Sequence, residues 1–209
     1  MSEGPIILKP EAIETESFRI IDSEVGPHSY DRQQWSVVRR MIHTTADFEL
    51  AQTTAFAPAV VERALVALRS GAKILCDTNM VLSGVNKLRL AGLGGSIACY
   101  VADPQIAIDA KKAGLTRSTF ALRKGVAEGC RVFLIGNAPT ALFELLRLVE
   151  TGAVQPELIV GVPVGFVGAA ESKDALLATD LPYIVIKGRK GGSAIAAAIL
   201  NALLIQAEG

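Results

Sequence analysis

Apolar and polar positions change their period about a third of the way along the chain, and that change predicts the fold class. In the first third, apolar residues recur at helical spacing. Pro10–Val25 sets Ile13, Phe18, Ile20 and Ile21 on a mostly polar background. After the turn Gly26-Pro27-His28-Ser29, the segment Asp31–Thr45 repeats Trp35, Val38 and Ile42, with Asp31 placed as an N-cap. Pro58–Ser70 predicts a cleaner helix: Pro58 suits a first turn, Val61, Ala64, Leu65 and Leu68 share a face, and Gly71 ends it. From Lys73 onward, short apolar runs alternate with helical segments. The strands are predicted at Lys73–Cys76, Ser96–Val101, Val132–Ile135, Leu158–Val162 and Pro182–Lys187. The helices follow at Asn79–Gly84, Pro104–Ala113, Thr116–Glu128, Thr140–Val149, Ala170–Ala178 and the alanine-rich Ser193–Gln206.

This alternation predicts an α/β fold: a single domain over residues 1–209 with a mostly parallel, doubly wound sheet and helices on both faces. Right-handed crossovers then bring the loops after the strands to one rim, where open sheets of this kind bind ligands. The fullest such unit is Leu158–Lys173, LIVGVPVGFVGAAESK, an apolar strand running into a glycine-rich loop and a polar helix start. Glycines at 161, 165 and 168 let that backbone turn tightly and approach a ligand. Val132–Val149 repeats the plan, with Gly136-Asn137-Ala138-Pro139 as its loop.

A chain of 209 residues is long enough for one sizeable core, and its half-hydrophobic, one-fifth-charged composition excludes a disordered protein. Basic and acidic residues balance at 21 each, which argues against a nucleic-acid partner. The longest apolar runs, near 158–170 and 194–205, fall short of the roughly 18 residues that span a bilayer, so no membrane partner is expected. The N-terminus, MSEGPIILKPEAIETE, lacks the basic and apolar regions of a secretory leader. Cys76, Cys99 and Cys130 are odd in number and widely spaced, and read as reduced, buried thiols of a cytoplasmic protein.

Candidate chemistry gathers at helix ends and loops. If Asp31–Thr45 continues a little, Arg39, His43 and Asp47 share one face at i, i+4 and i+8. A cation on one side and a carboxylate on the other can tune His43 as a general acid or base. The alternative is a surface histidine in a solvated charged stripe. His28, in its Gly-Pro-His-Ser turn, reads as structural. Gly165–Lys173 matches neither the phosphate-loop nor the dinucleotide fingerprint, since no Gly-Lys-Ser/Thr follows and position 163 is Pro. Its backbone N–H groups and Lys173 can still attract an anion, or the loop is simply a tight turn. Lys187-Gly188-Arg189-Lys190-Gly191-Gly192-Ser193 is a more suggestive anion site, with three cations at a helix start. Thr116-Arg117-Ser118 opens another helix with an arginine suited to carboxylates. Asp77 follows the Lys73–Cys76 strand, where it serves as a site acid or caps the helix that follows. Two histidines and three scattered cysteines give no metal-ligand spacing, and no G-x-S-x-G elbow supports a hydrolase. The residues alone point to an α/β enzyme for a polyanionic small molecule.

These motifs together resemble the precorrin-8X methylmutase family of cobalamin biosynthesis. The resemblance rests on Arg40-Met41-Ile42-His43, Cys76-Asp77 with Met80-Val81, Thr116-Arg117-Ser118, GNAPTAL at 136–142, Gly161–Asp174, and Gly188-Arg189 with Gly191-Gly192-Ser193. It implies a formal [1,5]-sigmatropic shift of a methyl group from C11 to C12 of the corrin ring, giving hydrogenobyrinic acid, or cobyrinic acid from a cobalt-bearing substrate. It also implies no redox cofactor, no protein-bound metal, a corrinoid polycarboxylate substrate, and a homodimer with sites near the interface. His43 matches the family's catalytic histidine. Expected substrate contacts are Ser17, Arg39, Asp77, Arg117, Ser118, Asn137, Gly165, Lys173, Arg189, Gly191 and Gly192. Glu16 stands where the family often carries an arginine, which counts against a carboxylate contact there, while Ser17 can still hydrogen-bond a ligand. Two other readings compete: a non-catalytic tetrapyrrole carrier on the same scaffold, and an unrelated α/β enzyme using a nucleotide phosphate at Gly161–Lys173.

Overall fold

Strand side chains alternate between two faces, and in this chain both faces are apolar, which requires helices on both sides. The computed structural model describes residues 9–209. Residues 1–8, on which the reading of the N-terminus partly rests, lie outside the described residues. The strands are β1 (Thr54–Phe56), β2 (Lys73–Cys76), β3 (Ser96–Ala98), β4 (Val132–Ile135), β5 (Leu158–Gly161) and β6 (Tyr183–Ile186). They form one sheet in the order β1-β6-β5-β4-β2-β3, parallel throughout except that β1 runs antiparallel to β6 at the edge.

Ile74, Val132, Leu134, Val160 and Ile184 enter one core with α2 (Arg32–Thr45), α4 (Val60–Arg69), α5 (Asn79–Gly84), α6 (Lys87–Gly92) and α11 (Ser193–Glu208). Their alternates Leu75, Phe133, Ile135, Ile159 and Val185 face α8 (Arg117–Ala127), α9 (Pro139–Glu150) and α10 (Ala169–Leu177). The short α3 (Leu50–Thr53) follows α2, and α7 (Pro104–Ala113) packs on α8. The helix α1 (Pro10–Val25) lies outermost, against α2, and leaves Ile13 and Ile20 exposed.

The helix α11 is apolar on nearly all sides because it runs between the sheet and α2, α4 and α5. Its alanines permit close approach: a Cβ on Gly84 would lie 2.8 Å from that of Ala197. Its half-buried Asn201 accepts from the Asn86 N–H at 2.8 Å and donates to the Gly84 carbonyl at 2.9 Å. The α5–α6 link is thereby tied to the helix. At the start of α2, Asp31 Oδ1 accepts from the Gln33 and Gln34 amides at 2.8 Å, and the Gln34 side chain returns to the Asp31 N–H. That reciprocal capping box fixes where α2 begins.

The single-domain α/β fold with a mostly parallel sheet is as the sequence predicts, with differences at short elements. The strand predicted over Ser96–Val101 stops at Ala98. Pro58 lies outside α4, because Ala59 turns left-handed (φ 53°) immediately before Val60. Neither β1 nor α3 nor α6 was expected; segments of three to six residues are too short to show a period. Cys76 and Cys130 are buried, but Cys99 is only half-buried. No described helix is long and apolar enough to cross a membrane.

The strand order fixes where a ligand site belongs. From β2 the chain winds to β3 on one side, whereas β4, β5 and β6 step away on the other. The winding therefore reverses between β2 and β4, and the crevice beyond their carboxyl ends is the topological switch point.

Candidate active site

Asp77, the first residue after β2, reaches across that crevice. Its Oδ1 accepts from the Gly136 N–H at 3.0 Å, and its Oδ2 from the Asn137 and Ala138 N–H groups, both at 2.7 Å. The side chain is 6 % exposed. Burial pushes its pKa up, while the three amides, which can only donate, oppose that rise and favour the ionised form. The expected cap of the following helix falls to Thr78, which accepts from the Val81 N–H at 3.2 Å, and Asp77 instead clamps the backbone of the loop leading into α9. Beside it, Thr78 and Ser193 hydroxyls meet at 2.9 Å and join the start of α5 to the start of α11. This approach depends on Gly136, since a Cβ there would stand 2.8 Å from the Ser193 Cα.

The loops after β5 and β6 are laced to each other. The Gly192 N–H donates to the Val162 carbonyl at 2.9 Å, and the Gly165 N–H to the Arg189 carbonyl at 3.2 Å. Those two amides are thus occupied within the protein. Lys173 is also turned inward: it is fully buried, its Nζ donates to the Lys190 carbonyl at 2.7 Å, and burial lowers its pKa to about 8. The expectation that Lys173 offers a charge to a ligand gives way to a strut beneath the 188–192 loop, because the α10 register points it at the core. What the rim leaves open is Asn137, Arg189 and Arg117. The loop tip is apolar, with Phe166 83 % and Val167 91 % exposed, and Arg189 lies 5.7 Å from the Phe166 ring centre.

His43 occupies the last turn of α2, exposed, its ring edge-to-face with Phe18 at 5.4 Å. Among the described residues its ring makes no hydrogen bond. Arg39 and Arg40 both lie over the Phe18 ring, at 4.3 and 4.9 Å. Each is bridged to α1, Arg39 to Asp22 at 2.9 Å and Arg40 to Glu14 at 2.6 Å. Glu14 is the carboxylate near His43: the hydrogen bond from Arg40 holds it below the usual range, and His43 adds to that effect. The expected stripe ending in Asp47 is therefore corrected. The helix stops at Thr45, where Ala46 turns left-handed (φ 54°) and its N–H closes on the Ile42 carbonyl. Asp47 leaves the helix and, with Glu49, binds Lys190 Nζ at 2.7 and 2.8 Å. That link, invisible to any periodicity, ties the end of α2 to the rim.

The sequence profile of the family described as precorrin-8X methylmutase matches residues 12–206 of this chain. The chain belongs to the precorrin-8X methylmutase family. A cobalt-precorrin-8 methylmutase of Priestia megaterium is 43 % identical over 205 residues, covering 98 % of this chain and 91 % of the relative. A precorrin-8X methylmutase of a Sinorhizobium species is 42 % identical over 206 residues, covering 97 % and 98 %. The crystal structure of the precorrin-8X methyl mutase from Thermus thermophilus superposes with a TM-score of 0.86 at 42 % identity, covering 94 % of this chain and 98 % of that one. The methylmutase is accordingly an isomerase of cobalamin biosynthesis, and nothing in these relatives favours a carrier role.

The remaining predicted contacts of the methylmutase fall into two groups. Arg117 and Ser118 open α8, whose cap Thr116 also joins Thr140 at the start of α9 at 2.9 Å. Ser118 lines a small recess with Asp77 and Cys76. Ser17 lies instead on α1, one residue before the Phe18 that packs on His43: half-buried, its hydroxyl donates to the Ile13 carbonyl at 2.7 Å. Glu16 is held on the same helix by Arg19 at 2.6 Å. Gly191 is a steric requirement, since a Cβ there would stand 2.1 Å from the Val162 carbonyl oxygen. Gly191→Ala must part the two laced loops and is expected to lower stability by about 1–3 kcal/mol, the range for overpacking a fixed backbone. A urea midpoint equal to that of the parent protein would contradict this.

Proposed function

We propose that this methylmutase moves the C11 methyl group of precorrin-8X, or of its cobalt-bearing counterpart, to C12, with His43 as the proton-donating group. The shift is internal to the substrate: the C11–methyl bond breaks as the C12–methyl bond forms, so atoms and electrons balance without a second reactant. A hydrogen bond or proton delivered to a ring nitrogen draws electron density along the conjugated path and favours migration. The observation that carries this reading is the exposed imidazole of His43, without a hydrogen bond among the described residues, at the end of α2, which is tied to the rim through Asp47 and Lys190. The rim side chains Arg117, Arg189 and Asn137 suit the acetate and propionate groups of a corrinoid, and Phe166 and Val167 suit its flat apolar face.

The working unit in this proposal is a homodimer. Ile13 and Ile20 on α1 and the Phe166–Val167 tip leave large apolar side chains in water on the elements that carry the site. Sedimentation of the purified chain with precorrin-8X tests both statements together. The coloured ligand is expected to travel, with an altered visible spectrum, on a species of twice the chain mass. Ligand travelling on a single chain would overturn the dimer, and ligand left behind would overturn the substrate. Single-turnover assays of the metal-free and cobalt-bearing compounds, side by side, then identify which one is converted.

A further inference from the structure

Two cysteines that the methyl shift does not use stand side by side behind the rim. The parallel register of β2 and β3 ends on Leu75 opposite Ala98, so the next residues, Cys76 and Cys99, are neighbours across the two strands. Adjacent strands lie about 4.8 Å apart, inside the Cα separation of about 4.4–6.8 Å that a disulfide spans. The thiols also share a face, because Cys76 belongs to the apolar cluster against which Cys99 packs. The Cys76 sulfur lies 3.4 Å from the Ala98 carbonyl oxygen, the peptide leading into Cys99. Cys130, the third thiol, belongs to the opposite face of the sheet.

We propose that Cys99 and Cys76 form a peroxide-reactive dithiol, Cys99 the attacking thiol and Cys76 the resolving one, which closes to an interstrand disulfide. The division of labour follows from their surroundings. Cys99 is half-buried and reachable from solvent, whereas Cys76 is 1 % exposed. The neighbouring Cys76 thiol, with help from the Val101 N–H, lowers the Cys99 pKa to about 7. The same pairing, together with burial, pushes Cys76 far upward, so the first thiolate forms at Cys99. That thiolate attacks one oxygen of hydrogen peroxide, breaking the O–O bond and leaving Cys99 sulfenic acid and hydroxide, which becomes water by taking up the proton that Cys99 released on ionising. Cys76 then attacks the sulfenic sulfur, the S–O bond breaks, and a second water leaves as the S–S bond forms. Two thiols are oxidised and one peroxide is reduced.

The pair adjoins the clamp: Cys76 is followed directly by Asp77. Closure is therefore expected to pull on the carboxylate that holds Gly136–Ala138, and to weaken corrinoid binding; this consequence rests on the reading of the rim as the substrate site.

Peroxide treatment of the intact protein, followed by digestion and mass spectrometry, tests the proposal. The expected product is a cross-linked peptide pair joining residues 76 and 99, lighter by two hydrogens and reversed by dithiothreitol. Cys130, 4 % exposed and pushed upward by burial, is the internal control and should react at least about tenfold more slowly. In Cys76→Ser, Cys99 should stop at a sulfenic acid that dimedone traps, and in Cys99→Ser no cross-link should form. Absence of the 76–99 pair, or oxidation of Cys130 at an equal rate, would overturn the site. A 76–99 disulfide with unchanged corrinoid affinity would overturn its coupling to the rim.

Discussion

His43→Ala is expected to lower kcat by about two to four orders of magnitude, the range that a positioned general acid contributes. The substitution should leave folding nearly untouched. His43 is exposed in the last turn of α2, and among the described residues its ring forms no hydrogen bond. It gives up only the edge contact with Phe18, so unfolding stability should change by less than about 0.5 kcal/mol. Substrate affinity should change little as well, because the side chains suited to corrinoid carboxylates are Arg117 and Arg189 on other elements. The decisive measurement is single-turnover conversion alongside a binding titration. Binding retained with conversion lost assigns His43 to the chemical step, and conversion at the parent rate removes it from the mechanism.

The parts of this site differ in how far the sequence reveals them, and the reason is the range of the interactions involved. Asp31 as a cap and the bounds of α1 are local matters, set by residues within one turn, and were legible. The strands β4 and β5 were legible as short continuous apolar runs bounded by turn residues, the mark of strands buried on both faces. The end of α2 was not legible: nothing within Thr44–Asp47 announces that Ala46 will turn left-handed. Asp47 is instead drawn off the helix by a lysine 143 positions away. Lys173 was misread for a related reason. A lysine next to a glycine-rich loop looks like a ligand for anions until the packing of α10 shows its amine on the Lys190 carbonyl. Gly136 and Gly191 were visible as loop glycines, but their purpose is the approach of Ser193 and Val162 from distant segments. Glu14, the carboxylate that lies near His43, sits on a separate helix and belongs to no motif around the histidine.

Asp77→Ala is expected to produce the largest loss of stability of any single substitution at the rim. It removes the acceptor of three backbone N–H groups at once. Gly136 and Ala138 are buried, so water does not readily replace the carboxylate there, while Asn137 is exposed and recovers part of its loss. An orphaned buried donor costs about 1–3 kcal/mol, which puts the combined effect at about 3–5 kcal/mol. The loop also precedes the first turn of α9, so the variant loses the negative charge facing that helix N-terminus. Against a total stability of about 5–15 kcal/mol for a domain of ordinary size, this approaches unfolding. Asp77→Asn supplies the internal comparison. Its single carbonyl oxygen can take the place of Oδ2 and serve Asn137 and Ala138, but its amide then faces the Gly136 N–H, donor against donor. A loss of roughly half that of the alanine variant is expected by urea titration, with dissociation of a corrinoid ligand quickened in both variants because Asn137 leaves its position. Unchanged urea midpoints would show that the clamp does not hold the loop. Equal losses for Ala and Asn would show that the charge, and not the count of accepting oxygens, holds the 136–138 loop against β2.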